Sequence, residues 1–309
     1  MAPQSPITRR RLAQHRSGKS GLEIGAGHWP FPVPTTVQGI TFVSRHSPDE
    51  ERELFPEVSE DYDFGQVDVV ADLDRDGLRF FGDNSQDFVI ASHVLEHLAA
   101  PIAAIEEMYR VTRDGGFILI VLPDRHMTFD KDRVGTPLSH LLDEHAAGIR
   151  DVDDAHIREF LANAAGLLHP TDEELVFHRA RSVHVHCWTD YEFDELLDAL
   201  PNQLNMALSL VDAYETNAPG GTGIEFGYVL EVGKSQDRPI SKIKRELLVT
   251  QLIQLDAALE NCRSVNAALS LEAESSETKL RQAQAELDGV YRSRTWRAGE
   301  IPRRIRHRF

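Results

Sequence analysis

The feature that most constrains the fold is a helical segment enclosed by two apolar runs. Residues 87–92 read DFVIAS and residues 116–123 read GFILIVLP, continuous runs that suit strands buried on both faces. Between them, PIAAIEEMYRVTRDGG has apolar residues at helical spacing, with Pro101 suited to the first turn and Asp114, Gly115 and Gly116 at the predicted end of the helix. The segment therefore predicts a parallel crossover unit in a helix-covered sheet.

The rest of the chain up to residue 232 repeats this pattern. Three earlier apolar runs read GLEIG, GITFVS and VDVVADL, and two later ones, ALSLVDAYE and IEFGYVLEV, flank a turn-rich segment. Thr189 and Glu192 form a capping box for a helix before the last two runs. We predict an α/β fold with a doubly wound, mostly parallel, Rossmann-like sheet of seven strands that ends in an antiparallel hairpin. Such sheets bind ligands at the carboxyl ends of their strands.

A glycine turn follows the first strand. Gly25 and Gly27 lack a Cβ where a ligand could approach backbone amides. The dinucleotide pattern G-x-G-x-x-G is not met, because the residues after Gly27 read HWP. With Glu23 before the turn, the short G-x-G fits a cofactor that has an amino-acid end and no phosphates.

Together, EIGAG, Asp72 and residues 85–124 resemble the class I S-adenosylmethionine-dependent methyltransferases of the small-molecule type, over about residues 20–232. The resemblance implies S-adenosylmethionine (SAM) as the cofactor. It also implies which residues surround SAM: Glu23, Gly25 and Gly27 on the methionine and ribose side, Asp72 and Leu73 near the adenine, and Ala91, Ser92 and His93 over the methionine end.

The end of the second strand departs from that class. Members commonly carry an acid there to hold the ribose hydroxyls, whereas this chain has Ser44. A neutral hydrogen bond contributes about 0.5–1.5 kcal/mol, against about 1.5–3 kcal/mol for a charged one. Ser44 therefore predicts modest cofactor affinity. It also leaves open the alternative that the chain binds the cofactor without catalysing methyl transfer.

Residues 92–98, SHVLEHL, contain His93, Glu96 and His97 in the order of an inverted zinc-peptidase motif. The strand-to-helix turn and the resemblance account for the segment without a metal, so we predict no metal ion there. Two alternatives remain. Glu96 and His97 satisfy backbone groups at a helix start, or His97 faces the methyl acceptor.

A second histidine pair lies in residues 182–189, SVHVHCWT. On a strand, His184 and His186 would share one face, where they could orient a hydroxyl, take its proton or bind a divalent ion. The alternative is a half-buried polar pair in an edge strand. We predict that the general base is one of His186, His184 and His97, in that order of preference.

Residues 124–188 form an insert far longer than an ordinary connection, and we predict a helical lid. Asp130, Arg133 and His140 are its predicted acceptor-binding residues. Arg133 could fork onto a carboxylate or phosphate of the acceptor, or it could instead pair with Asp130.

Residues 128–145 and HVHCWT resemble a bacterial subgroup associated with cell-surface polysaccharide assembly. The resemblance implies an O-methyltransferase acting on a sugar hydroxyl of a cell-surface glycan or its lipid-linked precursor. The alternative is a non-catalytic scaffold, in which a degenerate cofactor-binding head is carried on a coiled coil.

Residues 241–290 carry a heptad pattern with mostly apolar a and d positions. The a positions are Leu252, Leu259, Asn266, Ala273, Leu280 and Leu287, and the d positions include Leu255, Cys262 and Leu269. Asn266 favours a parallel two-stranded coiled coil, because a buried side-chain amide at an a position requires the same residue of the partner helix opposite it. We therefore predict a parallel homodimer, with one amphipathic helix folded back on the body as the alternative.

Charge is unevenly distributed. Of the net charge of −17, residues 1–20 contribute +5 and residues 292–309 contribute +6, so the body between them carries −28. Such a body repels nucleic-acid phosphates. The basic ends could meet an anionic membrane surface or remain solvated.

The domains expected are a basic arm (1–20), a methyltransferase domain (21–235), the coiled coil and a basic amphipathic tail (291–309). Because no apolar run approaches the roughly 18 residues needed to span a bilayer, we expect a cytoplasmic protein, with the tail as a peripheral contact to the inner face of the membrane.

Overall fold

A computed structural model describes residues 6–16, 19–32, 34–61, 63–234 and 238–292. The chain divides into two compact units, residues 1–248 and 249–309. The predicted basic tail lies outside the described residues, apart from its first two positions.

The first unit contains the predicted sheet of seven strands. The strands are β1 (Ser20–Ile24), β2 (Gly39–Ser44), β3 (Val69–Val70), β4 (Gln86–Ser92), β5 (Thr112–Pro123), β6 (Leu208–Tyr214) and β7 (Glu225–Val232). Their order is β3-β2-β1-β4-β5-β7-β6. The first five are parallel, and β7 pairs antiparallel with both β5 and β6. The α/β fold and its final antiparallel hairpin are confirmed.

Helices cover the sheet and fill the insert. They are α1 (Ile7–Ala13), α2 (Pro48–Leu54), α3 (Pro56–Ser59), α4 (Pro101–Val111), α5 (Leu138–Ala147), α6 (Asp154–Ala164), α7 (Asp172–Ala180), α8 (Asp190–Gln203) and α9 (Ile240–Arg292). The capping box of Thr189 and Glu192 begins α8 as predicted. However, β5 already begins at Thr112, before the predicted helix stop, and Gly115 takes a left-handed conformation (φ +72°) within it.

Alternate residues of the central strands are buried on opposite faces of the sheet. Val89 and Ala91 of β4 belong to one hydrophobic core, and Phe88 and Ile90 belong to the other. Because both faces are covered, these strands have continuous apolar sequences.

Residues 6–16, within the predicted basic arm, pack on the body. Leu12 and Ala13 of α1 are buried in the second core. Arg9 is 7% exposed and donates two hydrogen bonds to the carboxylate of Glu225, at 2.9 and 2.6 Å. Arg11 pairs with Asp212 at 2.8 Å. This part of the arm is therefore not solvated, because buried acids pair with its arginines.

The first turns of α9 also belong to the body. Lys244 is 1% exposed and contacts both carboxylate oxygens of Asp194 at 3.0 Å and the Tyr228 hydroxyl at 3.1 Å. Ile240 is buried in the main core. Residues 240–248 therefore belong to the first unit, because a buried ion pair anchors this turn.

From residue 249 onward the second unit consists, where described, of the rest of α9. Its predicted a and d leucines are exposed in the single chain: Leu252 59%, Leu255 49%, Leu259 48%, Leu269 57%, Leu280 65% and Leu287 53%. Among the described residues, no helix combines the length and apolar character that crossing a bilayer requires.

Candidate functional site

A cavity of about 410 Å³ lies at the carboxyl ends of β1, β2 and β3, beside the turn that follows β4. Its volume is within the range of small-molecule sites. Its lining includes Gly25, Gly27, Ser44, Arg45, Glu51, Phe64, Ala71, Asp72, Leu73, Asp74, His93, Val94 and His97.

The glycine turn forms one wall of the cavity. Gly25 and Gly27 both have positive φ, +65° and +53°. A Cβ at Gly25 would lie 2.8 Å from Val94 Cγ2, closer than side-chain atoms pack. Both the backbone conformation and the space therefore require glycine at position 25.

Six of the nine predicted cofactor-binding residues line the cavity, namely Gly25, Gly27, Ser44, Asp72, Leu73 and His93. Glu23, Ala91 and Ser92 are not among its lining residues. Glu23 is buried and accepts a hydrogen bond from the backbone N–H of Phe31 at 2.5 Å, so it supports the loop after the turn. Ala91 is buried in the main core, and the half-buried Ser92 ends β4.

Glu51 supplies a carboxylate beside Ser44. It lies in α2, lines the cavity and accepts a hydrogen bond from Ser44 Oγ at 3.4 Å. Burial raises the pKa of Glu51. We did not predict this residue from the sequence. The sequence does contain a capping box, Ser47 and Glu50, which starts a helix directly after β2. That motif could have predicted that an acidic residue in the first turn of this helix, such as Glu51, lies at the end of β2.

Two aspartates from the loop after β3 shape the neighbouring wall. Asp72 forms an ion pair with Arg45 at 3.2 Å. Asp74 accepts hydrogen bonds from the backbone N–H groups of Ala99 and Ala100, each at 2.9 Å, which ties this loop to the start of α4. Burial raises the pKa of Asp74.

His93 is held by a buried carboxylate. Its backbone has φ +56°, and its Nε2 lies 3.0 Å from Glu225 Oε2. Burial opposes ionisation of Glu225, but hydrogen bonds from Arg9 and His93 outweigh it and lower the pKa of Glu225 to about 2. The buried pair of Arg9 and Glu225 thus fixes a side chain in the cavity wall.

His97 is the predicted base that lines the cavity. Its Nδ1 lies 3.0 Å from the carbonyl oxygen of Val183. Because a carbonyl only accepts hydrogen bonds, Nδ1 carries the proton and Nε2 is the basic nitrogen. The side chain is 28% exposed, and burial lowers its pKa, so it is neutral at neutral pH.

The prediction that His184 and His186 share one strand face is wrong. Residues 181–188 form no regular strand, and the backbone turns between the two histidines. His184 Nδ1 bonds Asp130 Oδ2 at 2.5 Å, and its ring lies 4.8 Å from the ring of His97. His186 is 1% exposed and instead lies beside His140 and other residues of α5 and α6. Neither His184 nor His186 lines the cavity.

The predicted acceptor-binding residues of the insert serve other contacts. Arg133 is 4% exposed and bonds Asp130 at 2.7 Å, Glu159 at 2.7 Å and the carbonyl oxygen of His184 at 2.8 Å. Asp130 is 1% exposed. The structure contains the alternative pairing of Arg133 with Asp130, and Arg133 is not among the residues that line the cavity. His140 lies 3.1 Å from His156, away from the lining of the cavity.

Glu96 is also buried, between two histidines. It is 1% exposed, and its Oε1 lies 3.6 Å from His93 Nδ1 and 3.9 Å from His97 Nε2. Glu96, His97 and His184 each bring one possible metal-ligand atom within 4.8 Å of the others. Since His97 also lines the cavity, this group can contribute acid–base chemistry there.

Comparison with known proteins supports a methyltransferase. Residues 50–120 match the family described as methyltransferase domain. No curated protein matches the chain. Solved structures similar to it include a SAM-dependent methyltransferase from Aquifex aeolicus (12% identity, 74% of this chain and 90% of that chain, TM-score 0.35). Another is the YcgJ protein from Bacillus subtilis (15% identity, 73% of this chain and 96% of that chain, TM-score 0.36). A third is a protein described as a Zn-dependent alcohol dehydrogenase from Rhodobacter sphaeroides (14% identity, 74% of this chain and 90% of that chain, TM-score 0.45). These TM-scores are too low to carry an argument about function.

The cavity fits SAM, the cofactor that the sequence resemblance implies. Glu51 and Ser44 would hold the ribose hydroxyls, and the apolar side chains of Phe64, Ala71 and Leu73 would contact the adenine. The methionine end would lie beside Gly25 and Gly27, which line the same cavity. When bound, SAM supplies an electrophilic methyl group.

Proposed function

We propose that this chain, which contains a class I SAM-dependent methyltransferase domain, methylates a sugar hydroxyl of a cell-surface glycan or its lipid-linked precursor. The observation that carries this proposal is the neutral imidazole of His97 in the cavity wall, with Nε2 as its basic nitrogen.

A base matters because a sugar hydroxyl is a poor nucleophile at neutral pH. A side chain that accepts its proton contributes about 10²–10⁴-fold to the rate. His97 Nε2 would accept that proton, while the Val183 carbonyl keeps the ring oriented. Holding the acceptor oxygen in line for transfer can supply a further ~7–11 kcal/mol.

A smaller cavity of about 40 Å³ adjoins the first and supports a polar acceptor. The two share Arg45, Asp72 and His97 in their linings. Arg75, Arg150 and Arg179 also line the smaller cavity. Arg75 pairs with Asp151 and Arg179 pairs with Asp154. Because Asp72, Asp74 and Asp151 also line this cavity, its lining offers both donors and acceptors to a hydroxyl-rich sugar.

Labelled SAM tests the acceptor class. Purified chain is incubated with labelled SAM and surface glycan extracted from a strain that lacks this protein. We expect label in that glycan and little label in glycan from the parent strain, whose sites are already methylated. If neither glycan is labelled by protein that binds S-adenosylhomocysteine, the sugar acceptor is wrong, although the cofactor assignment stands.

The alternative function, a non-catalytic scaffold, rests on Ser44. Glu51 weakens that argument, because it places a carboxylate where Ser44 alone gives a neutral contact. We therefore favour the enzyme.

We also propose that residues 249–292 form a parallel homodimer. The exposed a and d leucines and Asn266 at an a position support this arrangement. Neighbouring leucines provide a matched test, because Leu269 occupies a d position and Leu271 an f position, and both are exposed. Light scattering should show that Leu269→Lys dissociates the dimer whereas Leu271→Lys does not. A monomeric wild-type chain would contradict the dimer.

Cytoplasmic location with a membrane-bound tail completes the proposal. The seven arginines of residues 292–309 support attraction to anionic lipid, at about 1 kcal/mol per charge near the surface. Flotation with anionic vesicles should recover the full chain but not a chain ending at residue 290. Equal recovery with neutral vesicles would argue against it.

A further inference from the structure

Four side chains of the insert converge at a second place, outside the lining of the cavity. They are His140 and Glu144 on one face of α5, His156 in the first turn of α6, and His186 in segment 181–188. One ligand atom from each lies within 4.8 Å of the others. Three imidazoles and a carboxylate are donors that suit zinc and similar divalent ions.

The distances between these atoms match a shared ion. A tetrahedral ion with bonds of about 2.0–2.1 Å places its donor atoms about 3.3–3.4 Å apart. His140 Nε2 lies 3.1 Å from His156 Nε2 and 3.2 Å from Glu144 Oε2. Glu144 Oε1 lies 3.4 Å from His156 Nε2, and Glu144 Oε2 lies 3.7 Å from His186 Nε2.

His140 Nε2 and His156 Nε2 lie at hydrogen-bond distance, but hydrogen bonding does not account for the approach of Glu144 Oε2 to His186. His186 is 1% exposed, yet neither of its ring nitrogens has a hydrogen-bond partner. Glu144 Oε2 also has none, although two imidazole nitrogens lie within 3.7 Å of it. Buried polar atoms are normally paired. Close approach without hydrogen-bond geometry is the arrangement expected of atoms that share a metal ion.

Neighbouring groups orient two of the rings. His156 Nδ1 lies 2.9 Å from the carboxylate of Asp153, which leaves Nε2 directed at the cluster. The ring of His186 packs against the indole of Trp188, with ring centroids 5.7 Å apart and an angle of 30° between the ring planes. Metal-binding histidines are commonly oriented by a carboxylate, as His156 is here.

We propose that His140, Glu144, His156 and His186 bind one divalent transition-metal ion of the zinc type. The site is structural, because four protein ligands complete a tetrahedron and leave no open position. The ion joins α5, α6 and segment 181–188. The backbone N–H of His186 donates to the Glu96 carbonyl oxygen at 3.0 Å, so the ion also steadies the segment next to the wall that carries His97.

Metal titration of the full chain tests the proposal. Chelator-treated protein is titrated with ZnCl₂ by calorimetry, and we expect one equivalent per chain and a higher thermal midpoint with bound zinc. With CoCl₂ in place of zinc, the intense visible absorption of tetrahedral cobalt should appear. A folded wild-type chain that binds no zinc would overturn the proposal.

Two ligand variants and one matched control complete the test. His156→Ala and Glu144→Gln should lose the stoichiometric zinc binding and the cobalt spectrum. His145→Ala should keep both, because His145 is on the same helix but lies 3.4 Å from Glu106 Oε1 and outside the cluster. Circular dichroism verifies that each variant folds. Zinc binding by folded His156→Ala as tight as in the wild type would show that the four residues form only a polar network.

Discussion

The cavity edge of the sheet, residues 24–98, and the insert, residues 124–188, both contain charged and histidine side chains, but they use them differently. At the sheet edge, His97 and Glu51 line a cavity. In the insert, Asp130 and Arg133 are almost fully buried and bond one another. An arginine side chain therefore indicates a binding site only when its N–H donors face a cavity and are not already paired with buried acids.

The largest effect is expected at the sheet edge. His97→Gln should reduce the methylation rate of the accepted glycan by about 10²–10⁴-fold with little change in S-adenosylhomocysteine affinity, because only the base is lost. His178→Gln, in α7 and not among the cavity-lining residues, should retain the wild-type rate. Full activity in His97→Gln would end its role as base.

The pH profile sharpens this assignment. Burial lowers the pKa of His97 below the ordinary value of 6.5. A base must be unprotonated, so kcat/KM should rise with pH through an apparent pKa below 6.5 and then level off. His97→Gln should lack that rise, whereas an unchanged profile would assign it to another group.

The next effect is expected in the insert. Arg133→Met should lower the free energy of unfolding by about 3–5 kcal/mol, because it leaves the buried Asp130 without its charged partner. Lys131→Met, two positions away and exposed, should change the free energy by no more than ~0.5 kcal/mol. Urea unfolding measures both. If both variants lose a similarly small free energy of unfolding, the contacts of Arg133 with Asp130 and Glu159 do not stabilise the fold.

A smaller effect separates Glu51 from Ser44. Glu51→Ala should weaken S-adenosylhomocysteine binding by about 10–100-fold, because a charged hydrogen bond is lost. Ser44→Ala should weaken it by about 2–10-fold. Glu53→Ala, exposed on the same helix, is the control. If calorimetry shows no loss in Glu51→Ala, the ribose is held elsewhere.

The sheet could be predicted from the sequence, because a continuous run of apolar residues indicates a strand that is buried on both faces. The resemblance implied that Gly25, Asp72 and His93 surround the cofactor, and all three line one cavity because the carboxyl ends of neighbouring parallel strands lie at one edge of the sheet. Ala91 was assigned to the cofactor by resemblance, yet it lies two residues after Val89 on the same face of β4, and both are buried in the main core.

The insert could not be predicted in this way, because its key contacts join residues far apart in the chain. His184 meets Asp130 across 54 positions, and no strand or helix period relates His184 to His186. The same irregular backbone brings His186 to Glu144 of α5. Glu51 was missed for a related reason, since its carboxylate reaches the site from a helix after the strand.

Calorimetry of the full chain with S-adenosylhomocysteine tests the central claim most directly, namely that the cavity beside Gly25 and Glu51 holds the cofactor. We expect saturable binding of one molecule per chain, with weaker binding in Glu51→Ala. A folded wild-type chain that shows no binding would contradict it.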